Sequence, residues 1–447
     1  QILDANGDAS SELRGRLAIT SSNIQQYLSL QTMRHDADAA VQHFRAHPGR
    51  WFNLFDALQA AARSRYLAGD FEGAAAGHRD ALAHAERHAG AESAWAITPM
   101  VQLAEAQWGA LKLAEAEANL RAALALSRRL NGELSGATLQ TQAKLGGFLH
   151  STGRRGEGMA LLDSALAAIG NKDANATPNA VAAVHRFRGI AQLDEGRFAE
   201  AEKSFAIEIE DLRAHYPGSL PLSRTLLLHA AALTALGRYE TSRAALDEAW
   251  RLWQAAGAGA AQPAANNRYL LEQARLMLAR GDAAGAETRL QSMAPAQEEM
   301  PLRLNETLAQ LARAQARLLQ GRADEARQFA QQALEHLQAS PLRERYPRLE
   351  AEALLRLGQA RRVGGDPHSA RSDLERAVAM RESTEAANSP WLAEAKIALA
   401  DCWLDLGERK PARVLLKQAH EAHATRSELG EHFSAPLRAT ARRLGGR

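Results

Sequence analysis

The stretch Tyr66–Ala75, YLAGDFEGAA, places a turn glycine, Gly69, five residues ahead of a small residue, Ala74. The same pairing recurs along the chain. Turn residues fall at Gly69, Leu111, Gly153, Gly196, Gly237, Gly281, Gly321, Gly365 and Gly407, with successive spacings of 42, 42, 43, 41, 44, 40, 44 and 42. A period of this length marks a repeat architecture.

Four positions keep the register. Five residues after each turn stand Ala74, Ala116, Gly158, Ala201, Ser242, Ala286, Ala326, Ala370 and Ala412. Seven before it stand Ala62, Ala104, Gly146, Gly189, Ala230, Ala274, Ala314, Gly358 and Ala400. Small residues on both sides of a turn let two antiparallel helices approach closely. Nine after the turn an apolar residue fills eight of nine repeats, the exception being His78. Twelve after it, Ala stands everywhere except at Glu208 and Met293. Glu208 puts a charge where the pattern wants alanine, so repeat four is expected to pack less regularly there. The glycine ends the first helix in a left-handed conformation. No single pair buries its apolar face alone, so the pairs must stack into a solenoid.

Composition agrees. Ala, Leu, Arg, Glu and Gln, all strong helix formers, dominate the 447 residues, and aromatics make up only 5%. With 54 basic against 52 acidic residues the net charge is +2, which gives no global attraction to nucleic acid or an anionic membrane. The single cysteine, Cys402, cannot build a disulfide framework; beside Trp403 it reads as a core residue. No run of apolar residues is long enough to span a membrane. The first residue is Gln rather than Met, so the chain reads as part of a longer protein or as a processed product.

The order small, Gly, small, large, Ala at these spacings resembles the tetratricopeptide repeat, over roughly Trp51 to Gly430. The 42-residue period is similar to the long variant of kinesin light chains, found also in bacterial signalling proteins. The resemblance implies an all-α fold, a right-handed α-solenoid of about nine helix-turn-helix repeats with terminal capping helices. One departure matters. The light-chain arrays carry recurrent Asn on their inner helices, whereas the positions nine before each turn here read Ala60, Gln102, Lys144, Phe187, Leu228, Glu272, Ala312, Arg356 and Ala398. An Asn clamp on a peptide backbone is therefore not expected.

Five segments follow from the punctuation. Residues 1–50 read as two capping or connecting helices, the second ended by Pro48-Gly49. Residues 51–256 form a first sub-array of repeats one to five. The Gly/Ala/Pro-rich stretch 257–267 reads as a flexible joint. Residues 268–430 form a second sub-array, and 431–447 a C-terminal capping helix with a basic tail.

The chemical candidates weaken in this frame. HRDALAHAERHAG, His78–Gly90, opens with the triplet of a protein-kinase catalytic loop, but it lies within a helix and no phosphate loop or Asp-Phe-Gly segment accompanies it. His84 and His88 share a helix face as paired zinc ligands do, without further ligands nearby in sequence; a solvated helix face is the expected reading. GRRGEG, 153–158, imitates a phosphate cradle but is the turn of repeat three. Asn175 and Asn305 head glycosylation sequons, informative only in a secretory context. No catalytic residue, metal or cofactor is expected.

What remains is surface. In tetratricopeptide arrays the first helices line a concave face. Carried over, that places the residues 13, 10, 6 and 3 before each turn in the groove. In repeats one to three these include Asp56, Gln59, Arg63, Tyr66, Thr98, Glu105, Trp108, Gln140 and His150. In repeats four to six they include Arg186, Arg224, Arg268 and Arg275 and no acidic residue. Arg224 and Arg268 hold the same slot in adjacent repeats. Helix axes lie ~10 Å apart, where two charges in water repel by only about 0.4 kcal/mol, so paired guanidiniums are tolerated and free to converge on a carboxylate. The resemblance implies a non-catalytic interaction scaffold: the sensory or regulatory region of a bacterial signalling protein, such as a Ser/Thr kinase or transcription activator. It would hold a protein or peptide segment, with an acidic stretch facing those arginines and Tyr66 and Trp108 as anchors. Nucleic acid is not expected as a partner. The alternative is a sensor of a small molecule or peptide that signals to an attached effector domain. A cytoplasmic setting is expected, or an extracytoplasmic one if a membrane span precedes the chain.

Overall fold

A computed structural model describes residues 15–20, 30–47, 50–171, 175–256, 263–295, 300–340, 346–426 and 428–445. Among them the chain is helical throughout, with one isolated bridge, Ser135–Asn175, and no strand. A short helical segment at 15–20 and helix α1, Leu30–Ala46, precede the repeats. Nine helix pairs follow. They are α2 (Trp51–Leu67) with α3 (Phe71–Ala89), α4 (Ala94–Gly109) with α5 (Leu113–Asn131), and α6 (Gly136–Ser151) with α7 (Arg155–Ile169). Next come α8 (Pro178–Asp194) with α9 (Phe198–His215), α10 (Leu220–Ala235) with α11 (Tyr239–Ala255), and α12 (Pro263–Ala279) with α13 (Ala283–Gln291). The last three are α14 (Met300–Leu319) with α15 (Ala323–Gln338), α16 (Pro347–Val363) with α17 (Pro367–Thr384), and α18 (Pro390–Asp405) with α19 (Arg409–Ala424). Helix α20, Glu431–Gly445, ends the described chain.

The turns are where the period puts them. All nine turn residues have positive φ, from 64° at Leu111 to 93° at Gly153. In each, the N–H that follows the turn residue donates to the carbonyl five residues back, from Asp70 to Arg65 (3.0 Å) through to Glu408 to Trp403 (2.8 Å). This is the Schellman closure of a helix end, which requires the left-handed conformation. Leu111 adopts it without being glycine, a strain normally costing about 1–2 kcal/mol. Three repeats place Asp directly after the turn, and Asp70, Asp282 and Asp366 each accept the N–H three residues on as the next helix's N-cap.

The small positions are all buried, with Ala62, Ala74, Ala104 and Ala116 among those fully enclosed. So are the gap-filling residues nine after the turn, His78 included. Helices pack on their chain neighbours in sequence, from α1 on α2 to α6 on α7, and again from α12 on α13 to α19 on α20. An all-α solenoid is the result.

Two compact units share the chain. The first covers 1–188, 204–225 and 249–262; the second covers 189–203, 226–248 and 263–447. In the first, the 15–20 segment packs through Ile19 on Phe44 and Phe55. In the second, the chain also closes back on itself. Phe198 meets Trp391 edge-on and stacks on Phe433 at 5.8 Å. The Arg426 guanidinium donates to the Gly196 carbonyl at 2.5 Å, and the Tyr239 hydroxyl lies 3.2 Å from His432 Nδ1.

Residues 257–262, most of the expected joint, lie outside the described residues, while 263–267 open α12. Pro48-Gly49 and 446–447 also lie outside them.

Candidate functional site

HRDALAHAERHAG belongs to α3, and its histidines are structural. His78, 2% exposed, donates from Nδ1 to Gln59 Oε1 at 2.9 Å. Burial, with Arg63 and Lys144 nearby, lowers its pKa to about 3, so the ring is neutral. The expected solvated face holds at His88, which is exposed, and needs correction at His84. His84 is buried and donates to the Trp51 carbonyl at 2.9 Å. His88 stacks on the Trp51 ring at 5.6 Å. Among the described residues no three His, Cys, Asp or Glu side chains are grouped to hold a metal.

Other sequence candidates resolve similarly. GRRGEG is a helix-turn, with Arg154 paired to Glu117 and Glu157. The buried Cys402 thiol donates to the Pro367 carbonyl, and burial raises its pKa to about 11, leaving it unreactive. Asn305 is buried and its amide donates to the Ala264 carbonyl, so that sequon serves packing.

The inner positions are chemically distinct from this core. In the first compact unit a cavity of about 510 Å³ is lined by Ile19, Phe55, Asp56, Gln59, Ala60, Arg63, Ala94, Trp95 and Thr98. Asp56, Gln59, Arg63 and Thr98 are inner positions of repeats one and two. Trp95, 44% exposed, meets Trp51 and Phe55 edge-on at 5.0 and 5.5 Å. Glu105 pairs with Lys144 of the next first helix at 2.9 Å. Tyr66 lies edge-on to Phe71, and Trp108 edge-on to Phe148; both remain partly exposed. Gln140 is half-buried and His150 buried.

The four arginines meet different surroundings. Arg186 lies over the Phe187 ring, 3.6 Å from the Glu208 carboxylate. Arg224, half-buried, forms no ion pair among the described residues. In the second compact unit Arg268 and Arg275 both reach Glu272, at 3.2 and 2.9 Å. A carboxylate nine before the turn thus lies against both guanidiniums. Sequence reasoning missed this because Glu272 falls outside the four inner slots. Repeat eight uses the same device inverted: Arg356, nine before its turn, reaches Glu394 at 2.9 Å, and Arg381 reaches it at 3.4 Å.

Glu208, the misfit in repeat four, is 1% exposed, and burial raises its pKa from 4.5 to about 7 despite Arg186 and a hydrogen bond from Thr225. Between those values the unfolded chain is ionised while the fold still holds the proton. Its contribution to stability is therefore complete below pH 4.5, falls as pH rises, and levels off above about 7, a loss of roughly 3 kcal/mol. Glu208→Gln should flatten the urea-unfolding profile across that window and stabilise the protein at pH 8. Parallel wild-type and variant profiles would exclude Glu208 as the source.

The repeat geometry and the closures define a helical-repeat fold of the tetratricopeptide type. A solved Rap protein, in complex with Competence and Sporulation Factor, superposes with a TM-score of 0.53 at 13% identity, covering 78% of this chain and 98% of that one. At that identity the likeness establishes the fold. BtubC (BKLC) from P. vanneervenii aligns at 18% identity over 56% of this chain and 92% of its own, with a TM-score of 0.37, too low to carry an argument. No family model matches the sequence, and no curated protein does. No described helix is long and apolar enough to cross a membrane.

Proposed function

We propose that the chain is a non-catalytic interaction scaffold that holds a segment of a partner protein along the inner faces of its first helices. The observation that carries this reading is the contrast along the first helices of repeats one, four, five and six. The position seven before every turn is small and buried, while the neighbouring inner slots hold Asp56, Arg63, Arg186, Arg224, Arg268 and Arg275. Recognition in a groove of this kind rests on such charged groups around a few apolar anchors.

The 42-residue period favours the kinesin-light-chain type of repeat, and with it the regulatory region of a bacterial signalling protein, such as a Ser/Thr kinase or transcription activator. The partner segment is acidic where it meets the arginines. The Rap protein was solved with a factor bound, and a shared fold makes a similar use reasonable here. A second reading, a sensor of a small molecule or short peptide, is favoured specifically by the cavity at Asp56 and Arg63.

Arg224→Gln with Arg268→Gln tests the first reading. Glutamine keeps a hydrogen bond for Glu272 and removes both charges. Capture of the acidic partner should weaken at least about tenfold, since charge-assisted hydrogen bonds are worth 1.5–3 kcal/mol each, while helicity stays unchanged. Undiminished capture would move the interface off the first helices of repeats five and six.

A further inference from the structure

The cavity of the first compact unit has charge at both ends of one helix face. Asp56 and Arg63 stand seven residues apart on α2 and both line it. Seven residues of α-helix rise about 10 Å. An extended chain of three residues spans at most about 10 Å. That rise along the backbone is of the order of the span between the ammonium and the carboxylate of a free tripeptide.

We propose that this cavity binds a short peptide with both termini free, of about three residues and with an apolar or aromatic side chain. Its ammonium meets Asp56 and its carboxylate meets Arg63. The proposal rests on the sensor reading given above and names the ligand class for it.

Each wall supports one part of such a ligand. Asp56 forms no ion pair among the described residues. Burial holds its carboxyl above the ordinary value and Arg16 offsets this only in part, so an added cation gains from the desolvated carboxylate. Gln59 Oε1 is held by His78 Nδ1 at 2.9 Å. That fixes the amide so that its NH2 faces away from the imidazole and is available to a peptide carbonyl, with the Thr98 hydroxyl on the facing helix. Phe55 and Trp95, edge-on to each other at 5.5 Å, give the side chain an aromatic wall. Ile19 closes one side and is itself fixed in the core against Phe55. A volume of about 510 Å³ lies within the range of small-ligand sites. A single amino acid is too short to reach both charges. An internal segment of a protein chain carries neither terminal charge.

The test is calorimetric titration of the full chain with alanyl-phenylalanyl-alanine, its N-acetyl form, its C-terminal amide and the doubly blocked form. The free tripeptide should bind, and each block should weaken binding at least about tenfold. Asp56→Asn should abolish the preference for a free amine but keep that for a free carboxylate. Arg63→Gln should do the reverse. This crossed pattern cannot arise from misfolding, which would remove both preferences together, and circular dichroism of each variant confirms the fold. Equal binding of free and doubly blocked peptides overturns the proposal, as does absence of binding at millimolar concentration. A rise in melting temperature with another small molecule, alongside no tripeptide binding, would leave the sensor reading standing, so the two failures are distinguishable.

Discussion

Gly158→Ala is expected to destabilise the protein by about 1 kcal/mol net, although alanine is the better helix former. An added Cβ would lie 2.6 Å from the Gly146 carbonyl oxygen and 2.6 Å from the His150 backbone nitrogen. Both are backbone atoms of α6, so relief requires α6 and α7 to separate. Overpacking of this kind costs about 1–3 kcal/mol, and the gain in helix propensity, about 1 kcal/mol, offsets only part of it. Gly156 in the same helix is the control. Its Cβ would meet nothing within 4 Å, so Gly156→Ala should stabilise by about 0.5–1 kcal/mol. Urea unfolding of both variants decides the matter. If they shift the midpoint alike, the close approach of α6 and α7 is not what repeat three's paired glycines serve.

Glu394→Ala should cost more, about 3 kcal/mol or above. Arg356 and Arg381 are both buried and both converge on this carboxylate. Burial alone would raise its pKa, but the two guanidiniums hold it below the ordinary value. Arg381 keeps the Trp391 carbonyl, and Arg356 keeps Glu352 only at 3.7 Å. Removing one member of such a group leaves uncompensated buried charge, which costs about 3–5 kcal/mol. Glu394→Leu with Arg356→Met removes charge of both signs and should recover part of the loss. A loss below about 1 kcal/mol for Glu394→Ala in thermal or urea unfolding would mean that solvent reaches and screens the two arginines.

The turns were legible in the sequence because a left-handed residue followed by close helix packing leaves few choices of side chain. Gly69 and Ala74 state that requirement directly. Leu111 does not, and only the register of its neighbours places it. His78 illustrates a limit of a different kind. The pattern wants an apolar residue there, and a histidine serves only because Gln59, on the preceding helix, accepts its N–H. Side-chain complementarity between positions 19 residues apart leaves no periodic trace. The pairings of Glu272 with Arg268 and Arg275, and of Arg356 with Glu394, were hidden for a related reason: each depends on the position nine before the turn, one residue away from an inner slot. The cavity depended on Ile19, which belongs to no repeat. The closure of the second compact unit was the least legible, since local periodicity says nothing about contacts between Tyr239 and His432, 193 residues apart.

That closure changes what kind of object the array is. In a row coupled only to its neighbours, each end is a place where unravelling begins at little cost, and the last repeat is always the weakest. Here Gly196 has the Pro390 ring against it, and a Cβ on Gly237 would lie 3.0 Å from Gly430 Cα. The terminal helices are thereby stitched to the middle of the chain. Peeling α19 and α20 away means breaking the bonds of Arg426 and Tyr239 at once.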